Sequence, residues 1–350
     1  MASQSPVDAE LTALEVPLEQ RGTDAGQAAH LAAERRWLGG LHPGYLVLLA
    51  VLIVFPLVNP SRYALSLATQ ILVFSIFTMS LDLLLGYCGL PSFGHAAFLG
   101  LGGYATAILS VKLANPNLGV ALAAAILLAS LGAGVLGLLA MRTSGVYFLM
   151  LTLAFAQIIS AASQKATGLT GGTNGLPGVT SPDLFVPGWK IPDGIPFYFL
   201  TLAIAALSFV ILFRLVHSPF GRSLIGIHQN PVRMRAMGYN VARYRLAAFW
   251  VGGVFASIAG VLYTLYNHFI SPSDVGFTLS GEAVLMVLIG GEGTLIGSLL
   301  GTTAYLLIQN ALSSLTPHWQ LVLGALFVVF VLFARRGIVG VWTRFRRRRA

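Results

Sequence analysis

The sequence predicts an all-α membrane protein, a polytopic helical bundle of about eight spans, or ten, with broken or re-entrant segments. Three observations predict it. Of the 350 residues, 56% are hydrophobic and only 9% are charged, against about 25% charged in a soluble domain. The apolar residues fall in runs of spanning length, and the arginines sit in blocks between those runs. A soluble fold this poor in polar side chains has too few to cover its surface, whereas a bilayer presents hydrocarbon to that surface. The 39 glycines agree, since glycine is commoner in membrane helices than in soluble ones.

A spanning helix needs about 20 mostly apolar residues. Such runs occupy 44–59, 63–86, 91–111, 118–141, 145–164, 196–216, 245–267 and 318–335. A further stretch, 282–312, is interrupted by Gly290-Gly291-Glu292-Gly293. The segment 214–245 carries Arg214, Arg222, Arg233, Arg235, Arg243 and Arg245 with no acidic residue. The positive-inside rule makes it cytoplasmic, and likewise the tail from Arg335 to Arg349. Counting back through six runs places the N-terminus inside, with Arg21, Arg35 and Arg36. Counting forward, 282–312 crosses twice or not at all. It is too short for two spans of about 20 residues, so a re-entrant break at Gly290–Gly293 and a tight turn between two short spans both satisfy the parity.

The domain organisation follows. Residues 1–42, with six of the twelve acidic residues, read as a polar cytoplasmic extension. Residues 43–336 form the transmembrane domain, with 218–240 as a cytoplasmic segment, and 337–350 form a basic cytoplasmic tail. The net charge of +9 comes from 18 Arg and three Lys placed as topology signals, so it does not point to nucleic acid. The single cysteine, Cys88, excludes an internal disulfide and a multi-cysteine metal site.

Broken segments inside apolar runs free backbone groups to meet a solute. Gly86-Tyr87-Cys88-Gly89-Leu90-Pro91-Ser92-Phe93-Gly94-His95 is one such break. It makes Ser92, Gly94 and His95 candidate pathway residues near mid-membrane, with a short loop between spans as the plainer reading. Gly290, Gly291, Glu292 and Gly293 form the second candidate. Small residues at four-residue spacing (Gly252, Ala256 and Gly260; Ser130 and Gly134; Ala133 and Gly137) predict close helix packing. Thr170–Gly178 is too polar to span and reads as an outer turn or gate. In 218–240, Leu224, Ile227, Val232, Ala236 and Met237 mark one face of short helices broken by Pro231, which pack on the bundle, the lipid surface or a partner. Asp82, Glu282 and Glu292 lie in or near spans, where ionisable groups are costly and often functional; the plainer readings put Asp82 close to the surface and make Glu282 a helix N-terminal cap. No lysine follows a glycine, so no phosphate-binding lysine loop exists. No zinc-protease or nucleophile-elbow motif occurs either, which disfavours an enzyme.

Several segments together resemble a known family. GYCGLPSFGHAAFLGLGGY at 86–104, Gly145–Tyr147, TGLTGGTNGLPG at 167–178, Ser218–Asn240, Phe269-Ile270-Ser271-Pro272 and VLIGGEGTLIG at 287–297 resemble permease subunits of branched-chain amino acid ABC importers, most nearly the M-type member of the permease pair. The resemblance implies a second permease subunit, two cytoplasmic ATPase subunits and a periplasmic solute-binding protein in the inner membrane. It implies that 218–240 docks into the ATPase, with Gly221, Arg222, Asn230, Arg233, Ala236 and Gly238 as coupling residues. No cofactor is then expected on this chain, and ATP is used by the partner ATPase subunits. Cys88 and Pro91 depart from the family's pattern, where small or ordinary apolar residues are expected. A urea or short-chain amide permease and an ion-coupled secondary transporter are the alternatives.

Overall fold

The computed structural model describes residues 43–58, 61–114, 117–140, 143, 145–183, 190–315, 317–325 and 337–338. The N-terminal extension, the rest of the basic tail and most of the run 318–335 lie outside the described residues. Helix α1 (Pro43–Val58) is a separate apolar unit with Val47, Val51 and Leu57 exposed, as lipid-facing side chains are.

The remaining helices are α2 (Arg62–Asp82), α3 (His95–Ala107), α4 (Leu118–Ala140), α5 (Val146–Lys165), the short α6 (Thr167–Thr170), α7 (Ile195–His217), α8 (Pro219–Gln229), α9 (Pro231–Ala236), α10 (Val241–Asn267), α11 (Phe277–Gly290) and α12 (Leu295–Leu315). Wider π-type turns extend α2 over Leu83–Tyr87 and α3 over Ile108–Lys112. The only sheet among the described residues pairs β1 (Leu176–Pro177) antiparallel with β2 (Phe269–Ile270). Six described helices are long and apolar enough to cross a membrane.

Of the six spanning-length helices, α2 and α10 are the innermost: 67% and 61% of their most apolar stretches are buried, against 28% for α4 and α5. Helix α10 packs on α2, α3 and α4, and α12 packs on α2 and α11. Glycine makes the closest of these approaches. A Cβ at Gly260 would overlap the Leu99 carbonyl oxygen, and one at Gly102 the Ser257 carbonyl oxygen. The small-residue face of α10 predicted from spacing is therefore the α3 contact, with Ala256 fully buried between. On α4, Ala133 and Gly137 pack, Gly137 beneath Leu246, whereas Gly134 meets nothing within 4 Å. Gly134 thus meets no neighbour among the described residues. Spacing predicts where two helices can approach, but not whether a neighbour stands there.

The interrupted stretch resolves into two helices. Helix α11 has 14 residues, about 21 Å at 1.5 Å per residue, which is short of the ~30 Å hydrocarbon core. Helix α12 has 21 and suffices. The missing part of the α11 crossing is supplied by irregular backbone. Residues 268–290 run antiparallel to α3: Ile270 lies against Gly103, Val275 against Gly100, and the Ser280 hydroxyl accepts from Ala96 N at 2.9 Å. Non-helical backbone at this depth is tolerated because protein surrounds it. Among the described residues, α12 is one of the six helices of spanning length, and α11 is a shorter apolar helix beside it.

These packing contacts give a direct contrast. Gly260→Ala forces the Leu99 carbonyl aside and should cost about 1–3 kcal/mol. Gly134→Ala should stay within about 0.5 kcal/mol. Thermal unfolding of the two purified variants in one detergent measures the difference.

Candidate functional site

The starts of α3 and of the segment leading into α12 are each capped from another helix. The first four N–H groups of any helix lack intrahelical acceptors, and inside a membrane no water replaces them. At α3 the acceptor is Ser280 of α11, on Ala96 N. At the segment leading into α12 it is Asp82, whose Oδ1 accepts from Gly293 N at 2.8 Å. Asp82 is fully buried in protein. Its Oδ2 has no hydrogen-bond partner among the described residues. Glu282 lies in the second turn of α11, within reach of the Tyr305 hydroxyl of α12, and does not cap the helix start.

The Asp82 contact brings the two glycine-rich breaks together. Helix α2 ends in the π turn Leu83–Tyr87, where a Cβ at Gly86 would overlap the Gly293 backbone nitrogen. Gly291 and Gly293 have φ of +112° and +77°, a region closed to side-chain-bearing residues at little cost only for glycine. The Thr294 hydroxyl closes the turn onto Gly291 O at 2.8 Å. Gly290 is pressed against the Gly297 carbonyl, leaving no room for a side chain. Glu292 alone of the four points outward and is exposed.

The other predicted pathway residues are enclosed. Ser92 and His95 are fully buried. His95 Nε2 is 2.8 Å from the Ser80 hydroxyl, and its ring stacks on Phe77 at 5.3 Å between centroids. Gly94 sits against the Thr152 carbonyl with no room for a Cβ. The structure thus joins Gly86 to Gly290–Gly293 and sets Ser92, Gly94 and His95 apart, in the packed α2–α3–α5 contact.

The break at 86–94 also touches the arginine-rich segment, so it lies at that end of the bundle and not at mid-depth. His228 Nδ1 donates to Gly86 O at 3.1 Å, and its ring fills the space beside Gly89, whose φ is +70°. Helix α8 buries Gly221, Ser223, Leu224 and Ile227, and Gly221 lies on the Val216 carbonyl. Asn230 caps α9 by accepting from Arg233 N at 2.9 Å, and Gly238 turns the chain with φ +86°. Arg222, Arg233 and Ala236 are exposed. In α9 the buried side chain is Met234, while Val232 is 70% and Met237 57% exposed. The single apolar face expected across both helices is not formed, because Pro231 starts a new helix with its own phase. Sequence reading missed Ser80, His228 and Ser280; a lone serine or histidine in an apolar or basic run gives no signal of its distant partner.

Comparison with known proteins adds what geometry alone does not carry. The model of the family described as the branched-chain amino acid transport system permease component matches residues 63–332. The chain is 26% identical over 316 residues to the high-affinity branched-chain amino acid transport system permease protein LivM of Escherichia coli K12, covering 84% of this chain and 74% of that one. It is 28% identical over 290 residues to a probable LivM permease of Methanocaldococcus jannaschii, covering 73% and 83% respectively. Over a shorter stretch it is 29% identical to the ribose import permease RbsC of Bacillus subtilis, covering 40% and 47%. No solved structure matches.

The Asp82 cap predicts an ordered pair of effects. Asp82→Leu strands the buried Gly293 N–H and should destabilise by about 1–3 kcal/mol. Asp82→Asn keeps a carbonyl oxygen at the same place and should retain most of that stability. Thermal unfolding in detergent, compared with wild type, ranks the three proteins.

Proposed function

The chain belongs to the branched-chain amino acid transport system permease family, and on that premise we propose that it is the permease subunit of an ATP-driven importer carrying branched-chain amino acids across the inner membrane, with both termini cytoplasmic. Its partners are a second permease subunit, two cytoplasmic ATPase subunits and a periplasmic solute-binding protein. ATP is hydrolysed on the ATPase chains, and this chain binds no cofactor of its own.

The observation that carries this reading is the α8–α9 pair. One side of it is seated on the bundle through Leu224, Ile227 and Met234. The other side presents Arg222, Arg233, Val232 and Met237 to solvent. Exposed apolar side chains beside arginines that have no ion pair among the described residues suit an acidic-rimmed protein groove, the helix-in-groove mode of recognition. Gly221, Asn230 and Gly238 shape the pair, while Arg222, Arg233 and Ala236 make the contact.

Movement of this pair reaches the glycine-rich breaks of the bundle by a short route. His228 holds Gly86, and Gly86 with Asp82 holds Gly293. A displaced α8 therefore pulls on the π turn and on the Gly290–Gly293 turn, including Glu292, at once. Closure of the ATPase pair on ATP shifts the permease between outward and inward states by differential affinity for the two. Ser92, Gly94 and His95 fasten the α3 end of the pathway against α2 and α5 as the turn beside them moves.

Uptake of labelled leucine and labelled urea in cells lacking only this chain, against complemented cells, tests the substrate. Loss of leucine uptake alone is expected. Loss of urea uptake alone would transfer the same architecture to amide transport. Charge reversal, Arg222→Glu with Arg233→Glu, is expected to abolish copurification of the ATPase subunits while the permease still inserts. Unchanged copurification would remove the docking role from this surface.

A further inference from the structure

The arginine-rich end of the molecule has a feature that neither the docking face nor the coupling route uses. Where α9 turns into α10 lies a hollow of about 320 Å³, at the small end of the range for small-molecule sites. Its walls are Arg235, Tyr239, Asn240, Val241, Ala242 and Arg245, so it holds two guanidinium groups and no acidic side chain. No Asp or Glu occurs anywhere from 194 to 273. Arg235 stands about 160° round α9 from Arg233 at 100° per residue, and so off the side assigned to the ATPase.

The donors in this hollow lack acceptors. Arg245 Nε is enclosed by protein and has no hydrogen-bond partner among the described residues. The one ion pair among those residues joins His268 to Asp193, at the far end of α10, so neither Arg235 nor Arg245 has a countercharge there. Asn240 Oδ1 accepts from Arg243 N at 3.2 Å, which leaves the Asn240 amide nitrogen to donate. Enclosing a charged donor without an acceptor costs more than enclosing a neutral one. Such a group calls for an anion that the polypeptide does not supply.

Three observations set the depth of the hollow in the bilayer. Helix α10 has 27 residues, about 40 Å at 1.5 Å per residue, roughly 10 Å more than the hydrocarbon core. Its uncharged run begins at Leu246, so the first turn, with Ala242 and Arg243 exposed, stands in the headgroup layer. Leu246 packs over Gly137, close to the end of α4 at Ala140, so a second spanning helix ends at the same level. One turn deeper Trp250 is 45% exposed, as aromatic side chains are at the membrane boundary. Phosphodiesters are the anions that fill this layer, and basic pockets beside spanning helices on the cytoplasmic side hold them.

Resting on the importer reading above, which sets α8 and α9 in the cytoplasm, we infer that this hollow binds the headgroup of an anionic phospholipid of the inner leaflet. The phosphate lies between the Arg235 and Arg245 guanidinium groups, whose planar forks match pairs of phosphate oxygens. The Asn240 amide and the Tyr239 hydroxyl meet the polar substituent of the headgroup. The acyl chains run down α10 past Leu246 and Trp250. The lipid thus holds the start of α10 in place, and Gly238, with φ +86°, is the joint about which α9 moves against it.

Native mass spectrometry of the transporter, with whichever chains copurify with this permease, tests the site. The detergent solution carries equal amounts of phosphatidylglycerol and phosphatidylcholine at physiological ionic strength. Each arginine at a membrane surface strengthens binding of an anionic lipid about fivefold, so wild type should take phosphatidylglycerol as its first lipid by roughly 25-fold. Arg235→Gln, a change at an exposed side chain, should lower that ratio about fivefold. Arg235→Gln with Arg245→Gln should remove the preference. Arg243→Gln, at an exposed neighbour outside the hollow, should leave the ratio within about twofold. A wild-type protein without the preference would overturn the site. So would a ratio that Arg243→Gln lowers as much as Arg235→Gln does, because general surface charge then accounts for it. Displacement of the lipid by millimolar inorganic phosphate would overturn the lipid assignment and give the hollow to a free anion. Loss of the ATPase chains from the double variant, with the lipid ratio unchanged, would give the hollow to an acidic side chain of the ATPase and overturn the proposal. The ratio is read without transport, so a wild-type complex that keeps the preference and imports no leucine overturns the importer reading alone.

Discussion

The hydrogen bond from Gly293 N to the Asp82 carboxylate is the constraint on which the rest of this structure depends. It lies between residues 211 apart in sequence, and the carboxylate that accepts it is fully buried in protein. It lets α12 begin inside the protein, and so permits the turn at Gly290–Gly293. It also fixes the π turn of α2 against that turn, with only glycine on both sides of the contact. An ionisable group in such a place is costly unless the structure makes use of it. Here its use is to hold two broken backbones together.

From this junction the architecture extends in two directions. Towards the arginine-rich end it meets His228, so that α8 and α9 rest on the junction itself and not on a passive helix end. Towards the other end α11 shortens to 14 residues, and the strand and turn of 268–276 complete the crossing. The glycine-rich turn 171–178 is held to that segment by the β1–β2 pairing and by His268, whose Nδ1 donates to Val179 O at 2.8 Å. The turn expected to be an outer loop or gate is thus tied to the broken crossing it overlies. A bundle so arranged has a rigid centre, α2, α3 and α10, closed by glycine contacts, and irregular backbone towards both ends.

Much of this was legible in the sequence. The spans, the interruption at Gly290–Gly293, the irregular stretch 86–94 and the division at Pro231 all appear as local pattern, because hydropathy and the dihedral needs of Gly and Pro are local properties. What was not legible is pairing. Asp82 reads as an acid near the end of a run, and only the fold shows that it is enclosed and which amide it accepts from. Ser280 capping α3 is the same case. Val232 and Met237 were assigned inward by extending one helical period through Pro231, whereas the proline resets it. Gly134 has the spacing of a packing face with Ser130 and meets no neighbour among the described residues.

The account's central claim is that motion of the α8–α9 pair reaches the joined breaks at Leu83–Tyr87 and Gly290–Gly293 through His228, Gly86 and Gly293. The measurement that tests it most directly is the number of ATP molecules hydrolysed per leucine imported, in proteoliposomes containing the complete transporter with wild-type or His228→Ala permease. The account predicts that ATP turnover persists while import falls, so that the ratio rises. An unchanged ratio, with both activities retained, would contradict it.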